Sequence, residues 1–184
     1  MSPSPALTGV VGLSAVAAAV AVAPSAVARP PVDADAGAQH CTTRLLTLAE
    51  LRAGVRSEVT CADTFAAAMG SVGVVVPAGR PVADQEAVAL ASGSVLAVHH
   101  DQAAGAGSTL SITGTSCSGG GISFGAGDGW NDRIRSTTHR LCTQVKHWTG
   151  PEYAGSSQLT EGGDGAVRNL NGALAGAVSS IRYW

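Results

Sequence analysis

Two stretches of this 184-residue sequence align on each other without gaps: VHHDQAAGAGSTLSITG, starting at Val98, and KHWTGPEYAGSSQLTEG, starting at Lys146. His100 falls over Trp148 and Gly107 over Gly155, an offset of 48 residues (148 − 100 = 48). Each copy is followed by a second matching piece, WNDRIRST from Trp130 and LAGAVSSI from Leu174, which sets Ile134 over Val178 and Ser136 over Ser180. Around these pieces run short β-like segments separated by glycines: VLAVHH, STLSITG, ISFG, DRIRSTT, TQVKHW, SSQLTE, AVRNL and AVSSIRYW. A solenoid or propeller needs three or more repeats, so two copies of four strands predict an all-β sandwich of two Greek-key units, residues 95–140 and 144–184.

The sequence ahead of the repeat reads differently. Residues 1–28 hold no Asp, Glu, Lys or Arg, contain the apolar run Val10 to Ala23 and close on Ala26-Val27-Ala28, which predicts a secretory signal peptide rather than a membrane span. Residues 29–40 lack apolar period and predict a flexible tail. Cys41, Cys61, Cys117 and Cys142 then form an even set in a chain expected to reach an oxidising compartment. Three pairings are open. The sequential one, Cys41 with Cys61 and Cys117 with Cys142, closes two loops of modest length, each worth roughly 3 kcal/mol in the chain-entropy account.

Between the first two cysteines the sequence admits two readings. Thr47-Leu48-Ala49-Glu50 fits a capping box that starts a short helix, whereas TTRLLTL and VRSEVT fit two strands around Ala53-Gly54. The hairpin is favoured. Asp63 is expected to cap a short helix through Phe65 and Met69 that stops at Gly70. VGVVVPAGRPVADQEAVALASG reads as a strand, a turn and a connecting segment without a recognisable site. Residues 41–94 are thus a small disulfide-braced element, either a permanent cap or a propeptide.

The duplicated pieces carry a recognisable pattern. Trp148, Tyr153 and Gly155 fit aromatic-x4-aromatic-x-Gly; Asn131, Asp132 and Ser136 fit (Asn/Asp)-(Asn/Asp)-x-x-(Ser/Thr)-Ser, and Ser179 and Ser180 fit its hydroxyl end in the second unit. In these residues the chain resembles the βγ-crystallin superfamily, over about half its length. The leader, the Thr60-Cys61-x-x-Thr64-Phe65 exit, the WNDRI run and the SSIRYW end resemble secreted actinobacterial members, a group whose relatives include metallopeptidase inhibitors and killer-toxin-like proteins.

The resemblance implies a calcium site. Calcium takes about 6 to 8 oxygens, which a carboxylate, an amide, backbone carbonyls and a hydroxyl on a bent loop supply. Here the donors would be Asn131, Asp132, the Arg133 carbonyl and Ser179. Arg135 replaces the hydroxyl donor of the first signature, and Ala175 and Gly176 replace the Asn/Asp pair of the second, so the site is expected to be degenerate or weak. Arg135 offers a built-in cation that would neutralise Asp132 or a nearby acceptor, or else an exposed side chain. Trp148 and Tyr153 would form an aromatic corner; in the first unit His100 and Gly105 stand in their places, which predicts a looser, mobile hairpin around DQAAGAGS.

Catalytic readings find less support. His99-His100-Asp101 would place its two histidines on opposite faces of a strand, with one imidazole half buried and the other solvated. No GxSxG marks a nucleophile turn, Gly119-Gly120-Gly121 lacks the Lys of a phosphate loop, and Glu152, Glu161 and Asp164 have no evident partner. A net charge of −2 without a basic block argues against nucleic acid and anionic membrane. The sequence therefore predicts a secreted, monomeric, non-enzymatic binding protein whose partner is an extracellular peptidase. The alternatives are a structural extracellular protein with residual calcium binding and an antimicrobial toxin.

Overall fold

The computed structural model describes residues 37–184, so the expected signal peptide and most of the expected tail lie outside the described residues. The chain order is β1 (His40–Arg44), α1 (Leu48–Arg52), β2 (Val59–Ala62), α2 (Phe65–Ser71), α3 (Val82–Ala91), β3 (Val95–His100), β4 (Thr109–Thr113), β5 (Gly121–Ser123), β6 (Ser136–His139), β7 (Gln144–Trp148), β8 (Ser157–Glu161), β9 (Val167–Asn169) and β10 (Ser180–Tyr183). Among the described residues no helix is long and apolar enough to cross a membrane.

The two units exchange a strand. One sheet runs β2-β1-β4-β3-β6-β9 and the other β5-β10-β7-β8. The third strand of each unit, β5 or β9, therefore pairs with the last strand of the other unit, β10 or β6, in antiparallel register. Neither Greek key closes its sheet alone. The facing surfaces enclose Leu96, Leu110, Ile112, Ile122, Ile134, Val145, Ile181 and Tyr183 in one core, into which Trp130 and Leu174 fold from the long loops. The second disulfide, Cys117–Cys142, ties the loop before β5 to the junction between units.

The N-terminal element is part of the first sheet rather than an appendage. β1 lies parallel to β4, from His40 opposite Thr109 to Arg44 opposite Thr113, and antiparallel to β2, where Cys41 and Cys61 face each other and are bonded. The strand begins at His40, inside the stretch expected to be a tail. Both readings of residues 42–60 hold in part: the strands pair as in a hairpin, but their connection contains α1. Thr47 accepts the Glu50 N–H while the Glu50 carboxylate accepts the Thr47 N–H at 2.8 Å. The box wins locally because Leu48 to Arg52 are all good helix formers and Gly54, at φ +73°, turns the chain back.

Two helix expectations need correction. The cap of α2 is Thr64, not Asp63, because the Thr64 hydroxyl reaches the Ala67 N–H at 3.2 Å, and the helix runs one residue past Gly70. Residues 82–91, expected as connector, form α3. Its Ala, Gln, Glu and Leu content favours a helix after Pro81, but its polar residues Gln85 and Glu86 are buried beside Ala89 and Leu90, so no clean apolar stripe marks it. With α2 it covers the outer face of the first sheet through Phe65, Met69, Val74, Val76, Leu90, Val95 and Val98. Among the described residues the fold is mostly β, with three short α-helices and two single 3-10 turns.

Candidate functional site

The duplication extends to hydrogen bonds. The Ser136 hydroxyl donates to the Gln102 carbonyl at 2.7 Å and accepts the Gly105 N–H at 3.1 Å; the Ser180 hydroxyl donates to the Gly150 carbonyl at 2.7 Å and accepts the Tyr153 N–H at 2.9 Å. The bends they pin match in backbone, with Ala104 and Glu152 at φ 58° and 54° and Gly107 and Gly155 at φ 83° and 81°. A Cβ on Gly155 would strike the Thr149 hydroxyl at 2.5 Å, which accounts for the glycine. Trp148 and Tyr153 pack edge to face with centroids 5.3 Å apart.

The first hairpin lacks both aromatics but is pinned by the exchanged strand β9: Gly105 sits under Val167, and the Ala104 N–H donates to Asn169 Oδ1 at 2.7 Å, as the Glu152 N–H donates to Ser123 Oγ of β5 at 3.1 Å in the second unit.

The same symmetry builds the candidate cation site. Asp132 and its counterpart Gly176 both adopt positive φ, 58° and 79°. The Asp132 N–H donates to the Val178 carbonyl and the Gly176 N–H to the Ile134 carbonyl, so each bent loop leans on the other unit. The residue five places into each signature consequently faces the opposite loop. Ser179 meets Asp132, donating to Oδ1 at 3.3 Å, and Asn131 donates to Asp132 Oδ2 at 2.8 Å. Arg135, the counterpart of Ser179, lies with its guanidinium against Gly176 and forms no ion pair with Asp132. This corrects the Asp132 part of the built-in-cation expectation: the pseudo-twofold directs Arg135 to the opposite loop, away from that carboxylate.

Arg133 turns its side chain elsewhere. Its guanidinium pairs with Asp101 at 2.8 Å, donates to the Gly129 carbonyl at 3.0 Å and lies 4.7 Å from the Trp130 ring centre. Its own carbonyl accepts no hydrogen bond from the described residues. Asn131 Oδ1 is buried without a partner, a costly state unless something else supplies a positive charge or a proton. An unpartnered amide oxygen, a carboxylate, a hydroxyl and a free carbonyl suit a hard cation, so the first half of the site fits calcium. The second half, Ala175 and Gly176 under Arg135, does not fit: it lacks side-chain oxygens and already holds a guanidinium.

All five histidines of the chain are buried. The expectation of one solvated imidazole at His99-His100 is wrong, because β3 is covered on one face by the second sheet and on the other by α3. His100 points outward, 3.6 Å from Glu86 on α3, with the Thr138 hydroxyl at 3.4 Å. His99 points inward, where its Nε2 lies 2.7 Å from the Tyr183 hydroxyl and its ring stands 5.4 Å from that of His147. His147 is the repeat-mate of His99, and Tyr183 that of His139, whose Nδ1 donates to the Cys142 carbonyl at 2.7 Å. Burial holds His147 down to about 3 and His100 to about 4, and pushes His99 well below its usual range, with neighbouring histidines adding to the shift of His99 and His147. The hydroxyls that His99 and His100 meet belong to Tyr183 and Thr138, not to a serine.

The remaining candidates stay apart. Asp164 is exposed and pairs with Arg168 at 2.7 Å, while Glu152 and Glu161 form no ion pair. Gly120 and Gly121 lie so close to the Leu46 and Ile181 carbonyls that neither could carry a Cβ, so this run serves packing.

No protein-family model matches the chain, and no curated protein matches it. Among solved structures it is similar to the N-terminal domain of protein S, at 19% identity and TM-score 0.38, over 50% of this chain and 96% of that one. It is also similar to a βγ-crystallin from an archaeon, at 17% identity and TM-score 0.36, over 50% of this chain and 99% of the other. A third likeness is to a βγ-crystallin domain from Flavobacterium johnsoniae, at 19% identity and TM-score 0.33, over 48% and 93%.

Proposed function

We propose that this chain is a secreted, non-catalytic binding protein of the peptidase-inhibitor kind. The observation that carries the reading is where apolar side chains meet solvent: Leu141, Leu159, Val167 and Trp184 are partly exposed on the repeat, but the one aliphatic side chain almost wholly in solvent among the described residues, Val75 at 90%, belongs to the disulfide-braced N-terminal element, together with the exposed Val55, Val59, Val72 and Val88. That element is welded into the sheet by β1 and by Cys41–Cys61, so what it exposes is held on a rigid base. The two disulfides and the apolar leader agree with an oxidising, extracellular setting. The hairpin around residues 101–108 does not serve as the presenting loop, because it is pinned on both sides. Purified protein without its leader, assayed against thermolysin-type, subtilisin-type and elastase-type endopeptidases, is expected to inhibit one class at nanomolar concentration. Folded protein that inhibits none would sink the reading.

A second reading rests on the orphaned Asn131 oxygen. Asn131, Asp132, Ser179 and the Arg133 carbonyl would hold one weakly bound calcium at the seam between units, in a chain of structural role. Millimolar calcium is then expected to raise the melting temperature by several degrees, since a ligand bound only to the native state stabilises it. The shift should vanish in Asp132→Ala. A melt indifferent to calcium would remove the site.

A further inference from the structure

Val75 is 90% exposed, and no other large apolar side chain of the described residues exceeds 45%. A single exposed valine is ordinary on a protein surface. What sets this one apart is its surroundings. Val74 and Val76, on either side, are buried against Phe65, Met69 and Leu90 in the second core cluster. Buried, exposed, buried is the two-residue alternation of an extended strand, yet residues 74–77 pair with no strand of either sheet. The N–H and C=O of Val75 make no hydrogen bond to the described residues, whereas the Val74 N–H is tied to the Met69 carbonyl at 3.0 Å.

The segment is also held in shape at both ends. Gly73 and Gly79, at φ +75° and +73°, turn the chain into and out of it. Pro77 confines Val76 to extended backbone. Below it, α2 starts four residues after Cys61 and its disulfide. Residues 70–79 carry no charge. No site was legible in this stretch, because the pattern VVVP reads as one more buried strand until the burial of alternate valines is known.

We infer that Val74-Val75-Val76-Pro77 is the surface that enters a partner's cleft, and that the partner is an endopeptidase whose main pocket takes a branched aliphatic side chain. The inference rests on the peptidase-inhibitor reading above and deepens it. A peptidase cleft binds an extended chain through main-chain hydrogen bonds and reads alternate side chains in pockets. This segment offers free main-chain groups, one side chain for one pocket, and neighbours locked into the core, so little conformational freedom is lost on binding.

The test uses the full secreted chain and its Val75→Asp and Val75→Arg variants against a thermolysin-type zinc endopeptidase, a subtilisin, an elastase-type enzyme and trypsin. Because the side chain is in solvent, both variants should melt within a degree or two of the parent, as surface substitutions do. The parent is expected to inhibit at least one aliphatic-specific enzyme. Val75→Asp should raise Ki by roughly 100-fold, the loss seen when an interface is stripped of its anchor. Val75→Arg should move inhibition towards trypsin. If the folded parent inhibits none of the enzymes, this inference and the broader reading fall together. If the parent inhibits but Val75→Asp inhibits equally well, only the placement of the surface is overturned. A parent that is cut rapidly at residues 74–76, or that dimerises through Val75 without inhibiting, also overturns it.

Discussion

Ser136 and Ser180 show how far a single residue type shapes this molecule. Each hydroxyl is buried and satisfies a carbonyl and an N–H of a bend that would otherwise be unpaired. Replacing either by alanine leaves both groups without a partner, so Ser136→Ala and Ser180→Ala should each cost about 1–3 kcal/mol in urea unfolding. Near-equal losses would express the internal symmetry; a loss at one position only would mean that the two bends are not equivalent. These serines were legible from sequence because the duplicated motif aligns them. That Asn131 and Ser179 both meet Asp132 was legible from the second signature, which groups an Asn/Asp pair with a hydroxyl. The direction of Arg135 was not, since it follows from a pseudo-twofold that only the folded pair of units possesses.

At the scale of elements, α1 is the clearest case of local chemistry overriding pattern. Its capping box satisfies two N–H groups on five residues that bury no side chain fully. Thr47→Ala should therefore weaken the helix by about 1 kcal/mol, visible as faster hydrogen exchange at Leu51 and Ala53 with no change in the protection of β3. Equal loss of protection in β3 would mean that the helix supports the sheet. All eight strands of the repeat were readable from alternation and glycine punctuation. Helix α3 was not, because burial of Gln85 and Glu86 blurs its polar face. The paired burial of His99 and His100 escaped for a related reason: strand alternation foretells that they point opposite ways, but not that helices cover the second face.

For the molecule as a whole, the buried imidazoles set a pH limit. His99, His100 and His147 are neutral in the fold and gain protons near 6.5 once unfolded, so the unfolded state binds more protons below that pH. Stability is full above about 6.5 and falls as pH drops, until His100 itself titrates at about 4 and His147 at about 3. Each of them should add about 1.4 kcal/mol per pH unit to that fall. His147→Phe should remove one such share from the slope between pH 6 and 4, measured by urea unfolding at a series of pH values. An unchanged slope would mean that carboxylates alone drive the acid transition. The exchange of β5 and β9 between sheets carries a different kind of consequence. A chain with one unit could complete this architecture only by lending its third strand to a second copy and borrowing one back, so joining two units in one chain replaces a concentration-dependent encounter by a tethered one.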